Sequence, residues 1–299
     1  MSETKGEDSG VPAPNLEPFP RGTAPPVQSP LFWAQQKDRY LRQLLIRDIE
    51  AVTKRRLIVY FANRSENAQL DATDPTYFVE VLEDTKGQAV DLLLETIGGY
   101  TDTAEQIVSI LENMAPDLRV VVAGAAKSNG TVICLAGKSI VLGASSELGP
   151  IEPQLNISGS LIPSTILAMP AFAAQNFMVH HLAKFAIEQT KKLAKRLLEN
   201  GMKKGASDAE IEELIKKLLT RETYFSHGSV IDHKEAVKLG LKVEYLPPES
   251  ELWKLFRLLA CMYEADCRQN RYLKVFEGNR LSSAIEAPSK PASATQTKP

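Results

Sequence analysis

Residues 119–136 read Arg-Val-Val-Val-Ala-Gly-Ala-Ala-Lys-Ser-Asn-Gly-Thr-Val-Ile-Cys-Leu-Ala. The apolar run Arg119–Ala123 predicts a buried strand, and the apolar run Thr131–Ala136 predicts a buried helix. Ser128 lies between them, at the start of the helix, where the peptide dipoles supply partial positive charge that stabilises a nearby anion. A serine in this position either caps the helix or acts as a nucleophile. The second role needs a base within hydrogen-bond reach and donors for an oxyanion.

A second glycine-bearing turn lies upstream, where residues 95–99 read Glu-Thr-Ile-Gly-Gly after the apolar strand Val90–Leu94. Adjacent glycines let the backbone adopt positive φ and approach a ligand closely. The N–H groups of Gly98 and Gly99, near the start of the next helix, can form an oxyanion hole for a tetrahedral acyl intermediate. A plain tight turn is the alternative, because turns are the commonest use of glycine.

Strand and helix patterns alternate on both sides of these turns. Buried apolar strands separated by helices predict an α/β fold with largely parallel pairing. Farther along the chain, helical patterns dominate and predict long helices over 172–199, 207–219 and 249–274.

The two ends of the chain are too polar and proline-rich to bury a core. We therefore expect a disordered tail over 1–28, one domain over 29–282, and a second disordered tail over 283–299. The apolar, proline-interrupted segment 161–179 is either an interface or a buried loop and helix start.

Composition bounds the function classes. The chain has 299 residues, a formal net charge of −2 and three cysteines. The charge argues against a nucleic-acid surface spread over the molecule. The odd cysteine count and its spacing match no zinc pattern, so we expect reduced thiols in a cytoplasmic protein and neither metal nor cofactor. No apolar run reaches the roughly 20 residues of a membrane span.

Taken together, the motifs resemble a known family. The order of strand, Gly-Gly, helix, strand, small-small-x-Ser-x-Gly and apolar helix is similar to the ClpP and signal-peptide-peptidase (SppA) class of serine peptidases, which share a crotonase-type fold. Residues 148–154 (Leu-Gly-Pro-Ile-Glu-Pro-Gln) and 224–228 (Tyr-Phe-Ser-His-Gly) look like its serine dehydrogenase proteinase (SDH proteinase) branch. The resemblance covers about 55–245 and implies a ClpP/crotonase-like fold of repeated ββα-type units with long C-terminal helices.

The resemblance also implies site residues. Ser128 corresponds to the nucleophile, and the backbone N–H groups of Gly98, Gly99 and Asn129 correspond to the oxyanion hole. The family usually has proline before the two glycines, where this chain has Ile97. That change should alter the rigidity of the turn more than its donors.

The general base does not follow from the resemblance. No histidine lies between Ser128 and His180, where a ClpP-like enzyme has its base, and no lysine lies between 138 and 184, where an SppA-like enzyme has one. His227 matches a histidine of the SDH proteinase branch, although the neighbouring acid position of ClpP-like enzymes is Gly228 here. The other candidates and supporting groups are Lys184, His180, His181, Lys127 (a cation beside the site) and Glu152 (which could orient a base).

Three functions are open at this point. The first is a serine peptidase that acts on peptides or proteins through an acyl-enzyme on Ser128. The second is an inactive homologue that binds peptides or serves as an assembly subunit. The third is an acyl-CoA enzyme of the crotonase type, in which Ser128 would have no obvious role. The resemblance further implies a homo-oligomer, and SppA-like relatives suggest peripheral association with a membrane.

Overall fold

The computed structural model describes residues 28–288. The chain divides into two compact units, 1–37 and 38–299. In the described part of the first unit, helix α1 (Pro30–Gln35) begins at Ser29, whose hydroxyl accepts the N–H of Phe32. The tail predicted over 1–28 lies outside the described residues except for Gln28, and so do positions 289–299 of the second predicted tail.

The remaining elements belong to the second unit, apart from the first residue of α2. In chain order the strands are β1 Arg56–Ala62, β2 Val90–Glu95, β3 Leu118–Val122, β4 Ala125–Ala126, β5 Ile140–Leu142, β6 Glu147–Leu148, β7 Gln154–Ile157, β8 Ser160–Pro163, β9 Val243–Tyr245, β10 Tyr272–Glu277 and β11 Ser282–Glu286. The helices after α1 are α2 Lys37–Thr53, α3 Asp74–Glu83, α4 Thr101–Met114, α5 Asn129–Leu135, α6 Ser164–Leu167, α7 Pro170–Ala173, α8 Phe177–Asn200, α9 Asp208–Leu219, α10 His233–Lys238 and α11 Glu251–Asn270, with a 3-10 turn at Arg64–Glu66.

A seven-stranded sheet forms the centre of the second unit, in the order β11-β10-β1-β2-β3-β5-β9. The five strands β1, β2, β3, β5 and β9 pair in parallel. This confirms the predicted α/β class with largely parallel pairing. The carboxyl ends of β2 and β3 lead into the two glycine-bearing turns, so the sheet brings both turns to one edge.

Both faces of the sheet are buried, which explains why its strands read as continuous apolar runs. Successive side chains of a strand point to opposite faces. In β1, Ile58 and Tyr60 pack in a core with α3, α4, α5, α8 and α9, while Leu57 and Val59 pack in a second core with α2 and α11.

The C-terminal end of the domain differs from the prediction of a helix over 249–274. Helix α11 ends at Asn270, and Arg271 adopts a left-handed conformation that closes it. Strand β10 then pairs antiparallel with β1, and β11 pairs with β10. The strand was missed because two of its residues, Lys274 and Glu277, are buried charges that break the apolar pattern. Their partners lie far away in sequence: Asp71 and Asp74 for Lys274, and Arg42 for Glu277.

The ordered domain therefore extends past the predicted boundary at 282, since β11 runs to Glu286. The segment 161–179 is divided among several short elements and does not form one continuous helix. It includes part of the β7–β8 hairpin, the short helices α6 and α7, and the start of α8. Among residues 28–288, no helix is both long enough and apolar enough to cross a membrane.

Candidate active site

Ser128 occupies a strained turn between β4 and α5. Its φ of 53° and ψ of −121° lie in a region that residues with a Cβ rarely adopt, and its side chain makes no capping hydrogen bond to α5. The side chain is half-buried. A cap would have normal extended geometry and a bonded hydroxyl, so the structure disfavours the capping role. Strained strand-to-helix turns of this kind expose a nucleophilic serine in hydrolytic enzymes.

The Gly-Gly turn lies directly against this serine. A Cβ on Gly98 would come within 2.8 Å of the Ser128 Cβ and 3.1 Å of the Asn129 amide nitrogen, while φ at Gly98 is +97°. A Cβ on Gly99 would overlap the backbone of Leu70. Both glycines are therefore required by close approach as well as by conformation.

The backbone amides of the two turns differ in whether they already have a hydrogen-bond acceptor. The Gly98 N–H donates to Thr96 Oγ1 at 3.1 Å. The Gly99 and Asn129 N–H groups have no acceptor within the described part of the chain. The Asn129 side chain also donates to Gly99 O at 2.7 Å, which joins the two turns. In the described chain, the N–H groups of Gly99 and Asn129 are therefore unengaged, whereas that of Gly98 already has an acceptor.

The Lys127 side chain is held by contacts with other parts of the protein. Its ammonium group donates to Leu148 O at 3.2 Å and to Ser229 O at 3.1 Å, and it pairs with Glu147 at 2.9 Å. Two of these partners are backbone oxygens and the third is a carboxylate. Lys127 therefore ties the Ser128 turn to the loop that carries His227, and its ammonium already has a full set of acceptors.

His227 lies in the loop between α9 and α10. This loop is held against the Ser128 region by Leu148, which exchanges two backbone hydrogen bonds with Ile231 at 2.9 and 3.0 Å. The Nδ1 atom of His227 is buried and has no hydrogen-bond partner in residues 28–288. Burial lowers the pKa of His227, Arg221 and Lys127 lower it further, and the Glu152 carboxylate opposes them. The imidazole is therefore neutral near pH 7, as a general base must be.

Glu152 supplies a buried carboxylate to the same region. It is 2% exposed. One oxygen accepts from the Thr165 hydroxyl and the other accepts from Arg221 Nε at 3.0 Å. Within the described chain, no hydrogen bond joins His227 to Glu152 or to Ser128. The Glu152 carboxylate acts on His227 through its charge alone.

The other base candidates lie elsewhere in the contact network. Lys184 is exposed on α8, and no hydrogen bond or ion pair within residues 28–288 connects it to the Ser128 turn. His180 is buried with its Nδ1 3.1 Å from Leu167 O, and His181 Nδ1 lies 3.0 Å from Phe177 O. The two histidine rings lie edge to face with their centroids 5.4 Å apart, and both have structural contacts. In the described chain, no group of three His, Cys, Asp or Glu side chains could hold a metal ion.

Two residues near the site were absent from the sequence-based candidates. Glu95 ends β2 immediately before the Gly-Gly turn, and its carboxylate accepts the Ala125 N–H at 3.0 Å. Arg64 Nε pairs with Glu95 at 2.8 Å. A charge at the end of an otherwise apolar strand was the available signal for Glu95. No local pattern indicates Arg64, because its partner lies on another element.

Comparisons with known proteins identify a family that resembles this chain. A family model described as ClpP-like SDH-type serine proteinase matches residues 76–275, about two thirds of the chain. The chain is 33% identical over 178 residues to the uncharacterized protein MJ0137 of Methanocaldococcus jannaschii, covering 58% of this chain and 59% of that protein. It is 26% identical over 172 residues to MJ1495 of the same organism, covering 57% and 56%. The chain thus spans less than two thirds of either relative.

Among solved structures, a mutant of the 1510-N membrane-bound stomatin-specific protease is similar, with a TM-score of 0.42 and 20% identity. The match covers 62% of this chain and 79% of that one.

Proposed function

Because the chain belongs to the family of ClpP-like SDH-type serine proteinases, we propose that it is a serine peptidase that hydrolyses peptide bonds through an acyl-enzyme on Ser128. The observation that carries this proposal is the strained Ser128 turn packed against Gly98, with the Gly99 and Asn129 amides unengaged. A serine that only capped a helix would need neither the strain nor the glycine contact.

In the proposed reaction, His227 accepts the hydroxyl proton of Ser128 as the oxygen bonds to the scissile carbonyl carbon. The carbonyl oxygen becomes an oxyanion that accepts hydrogen bonds from the Gly99 and Asn129 N–H groups. The C–N bond then breaks, and the imidazolium returns its proton to the leaving amine. The same imidazole then accepts a proton from water as the water oxygen bonds to the acyl carbon. It passes that proton to the Ser128 oxygen as the ester C–O bond breaks, which releases the acid and restores the serine.

Glu152 supports the imidazolium that forms in this sequence. Its carboxylate favours the protonated form of His227, whereas Arg221 and Lys127 disfavour it. Since Thr165 and Arg221 hold the carboxylate in place, the charge stays fixed when the imidazole turns toward Ser128. Apo sites are often looser than complexes, so a histidine without its bond to the serine is compatible with this role.

Labelling with a fluorophosphonate probe tests the nucleophile. The wild type and a control, Ser109→Ala, which changes an exposed serine of α4, should react, whereas Ser128→Ala should not. Equal labelling of the wild type and Ser128→Ala would contradict the proposal.

The missing hydrogen bond between Ser128 and His227 favours a second candidate, an inactive homologue that binds peptides. Peptide binding by both the wild type and Ser128→Ala, with no labelling or turnover across pH 6–9, would establish it. Binding of a CoA thioester would instead support the crotonase-type alternative, in which the same amides would hold the thioester carbonyl.

We also propose that the chain forms a homo-oligomer through the first half of α8. Four large apolar side chains are exposed there: Phe177, Met178, Leu182 and Phe185, at 50–72% of full exposure. Helical spacing places them on one side of α8. Large apolar patches of this kind mark contacts with other molecules.

A second copy of this chain is the occupant that the charges favour. Lys184 and Glu188, both exposed, flank the apolar side one turn apart. In a two-fold contact, if one residue of the first copy touches a second residue of the other copy, the reverse pair also touches. Antiparallel packing of α8 on its copy would therefore place Lys184 of one chain against Glu188 of the other.

A further inference from the structure

A cavity of about 230 Å³ lies at the carboxyl edge of the central sheet, behind the two glycine-bearing turns. It is lined by residues of β1, the 3-10 turn, the end of β2, the segment after β3, and α11. Glu95 reaches this cavity but is only 5% exposed. The proposed reaction makes no use of this carboxylate.

Glu95 contacts the start of the serine segment directly. One carboxylate oxygen accepts the Ala125 N–H at 3.0 Å, and the other pairs with Arg64 Nε at 2.8 Å. Gly124 makes this approach possible, since a Cβ there would overlap the carboxylate. Glu95 is thus built into the backbone that leads to Ser128, three residues beyond Ala125.

Backbone hydrogen bonds continue this contact into both turns. Thr96 N–H donates to Ala125 O at 2.9 Å, and Lys127 N–H donates to Thr96 O at 3.0 Å. Glu95 precedes Thr96 in the same strand end. The carboxylate therefore adds a third bond to a short ladder that holds the Gly98-Gly99 turn and the serine turn side by side.

A second route runs through side chains. Arg64 also bonds to Glu147 at 3.4 Å, and the other oxygen of Glu147 pairs with Lys127 at 2.9 Å. Lys127 is the neighbour of Ser128. Loss of the negative charge on Glu95 would remove its ion pair with Arg64, the first link of this second route, and would weaken its contact with the Ala125 N–H at the same time.

The charge of Glu95 is sensitive to pH. Burial raises the pKa of Glu95 to about 7, while Arg64 and the Ala125 N–H oppose that rise and Glu264 and Glu147 add to it. The groups that face it are Arg64 from the 3-10 turn, Glu147 from β6, and Arg257, Cys261 and Glu264 from α11.

We propose that Glu95 is a positioning residue for the reaction at Ser128, and that its carboxylate form holds the serine turn in place against the Gly98-Gly99 turn. The ionised carboxylate accepts the Ala125 N–H with charge assistance and pairs with Arg64, whereas the protonated group gives up the ion pair. This inference rests on the proposed function, because the turn that Glu95 positions carries the proposed nucleophile.

Two readouts on the full chain test it. The first is the pH dependence of the amide resonances of Ala125 and Asn129 in protein labelled with ¹⁵N-alanine and ¹⁵N-asparagine. In the wild type both should titrate together near pH 7, and in Glu95→Gln neither should. Glu264→Gln is the matched control, because it removes a carboxylate from the same cavity without touching Ala125. Its amides should still titrate together, at a somewhat lower pH than in the wild type, because Glu264 helps to raise the pKa of Glu95.

The second readout is the rate of fluorophosphonate labelling of Ser128. Ionisation of Glu95 near pH 7 should by itself raise the wild-type rate about fourfold between pH 6.5 and 8, on top of any rise that comes from His227, whose pKa burial lowers. The rate of Glu95→Gln should show only the rise that comes from His227.

The outcomes separate the two claims. Amide resonances that stay constant with pH, or that titrate equally in Glu95→Gln, would overturn the positioning role. A wild-type rate that rises while the Glu95→Gln rate rises in parallel would also overturn it. If the amides titrate as expected but no variant is labelled at any pH, the peptidase proposal fails and the positioning of the turn by Glu95 stands.

Discussion

The Lys127 ammonium donates a hydrogen bond of 3.1 Å to the backbone oxygen of Ser229. Lys127, next to the proposed nucleophile, thus holds the loop that carries the proposed base His227, two positions before Ser229. The cation is 14% exposed and its other partners are Leu148 O and Glu147. Its role is to fix the distance between two segments that are about a hundred residues apart in sequence.

Replacing Lys127 with Met should therefore loosen the His227 loop and lower the rate of fluorophosphonate labelling. A displacement of about 1 Å can cost on the order of a hundredfold in rate, so a decrease of at least about tenfold is expected. Lys242→Met, which removes an exposed lysine, serves as the control and should leave the rate unchanged. An unchanged rate in Lys127→Met would show that the loop is held by other contacts.

His227→Ala should lower the labelling rate by roughly 10²–10⁴-fold, the usual contribution of a general base. Because burial lowers the pKa of His227, the wild type should stay reactive with respect to this group down to pH values below about 6.5, the ordinary pKa of histidine. Added imidazole should partly restore the variant. Wild-type rates in His227→Ala would assign the base to another residue, and Lys184→Met would then be measured.

The lowered pKa of His227 also makes the free energy of unfolding depend on pH. Since its folded pKa is lowered, the native state binds fewer protons than the unfolded chain, and the free energy of unfolding falls as pH decreases below about 6.5. Chemical denaturation of the wild type and His227→Ala between pH 5 and 7.5 should show a steeper decline in the wild type.

Gly98→Ala should damage both stability and reactivity. Its positive φ alone costs roughly 1–3 kcal/mol for a residue with a Cβ, and the added carbon would also press on Ser128. Gly159→Ala is the matched control, because Gly159 has a φ of +86° but nothing within 4 Å of its Cβ position. Urea denaturation should show both variants weakened, with Gly98→Ala weakened more, and only Gly98→Ala should lose labelling. Full labelling of Gly98→Ala would argue against close packing of the two turns.

Glu95 should make the protein less stable as pH rises. Its folded pKa of about 7 lies above the ordinary 4.5, so the native state keeps a proton that the unfolded chain releases between these values. As one pH unit of difference in pKa corresponds to about 1.4 kcal/mol, the free energy of unfolding should fall by about 3 kcal/mol from pH 4 to 8 on account of this group. Glu95→Gln should lack that component of the slope when both proteins are denatured in urea. An identical slope in the two proteins would place the pKa of Glu95 near its ordinary value.

The proposed interface on α8 can be tested by light scattering at micromolar concentration. The double variant Met178→Ser with Phe185→Ser should lower the measured mass, whereas Leu258→Ser, at an exposed apolar position of α11, should not. Lys184→Glu should also weaken association, and adding Glu188→Lys should restore it. A monomeric wild type would contradict the proposal, and sedimentation of that monomer with anionic vesicles would identify a membrane surface as the occupant.

The local pattern of the sequence determined the two turns and the strands before them. Apolar runs predicted β2 and β3, because strands covered on both faces need no polar residues. The Ser128 turn and the Gly98-Gly99 turn were found because small residues follow an apolar strand directly at both places. The family resemblance rested on these same local motifs.

Only the tertiary structure showed the features that depend on contacts between residues far apart in sequence. Strand β10 was hidden because Lys274 and Glu277 are neutralised by residues some 200 positions away, and no local pattern carries that information. The tether from Lys127 to Ser229 and the contact of Glu95 with Ala125 depend on three-dimensional distance in the same way. Sequence spacing can place a serine at the start of a helix, but only packing decides which charges surround it and which amides are left to donate.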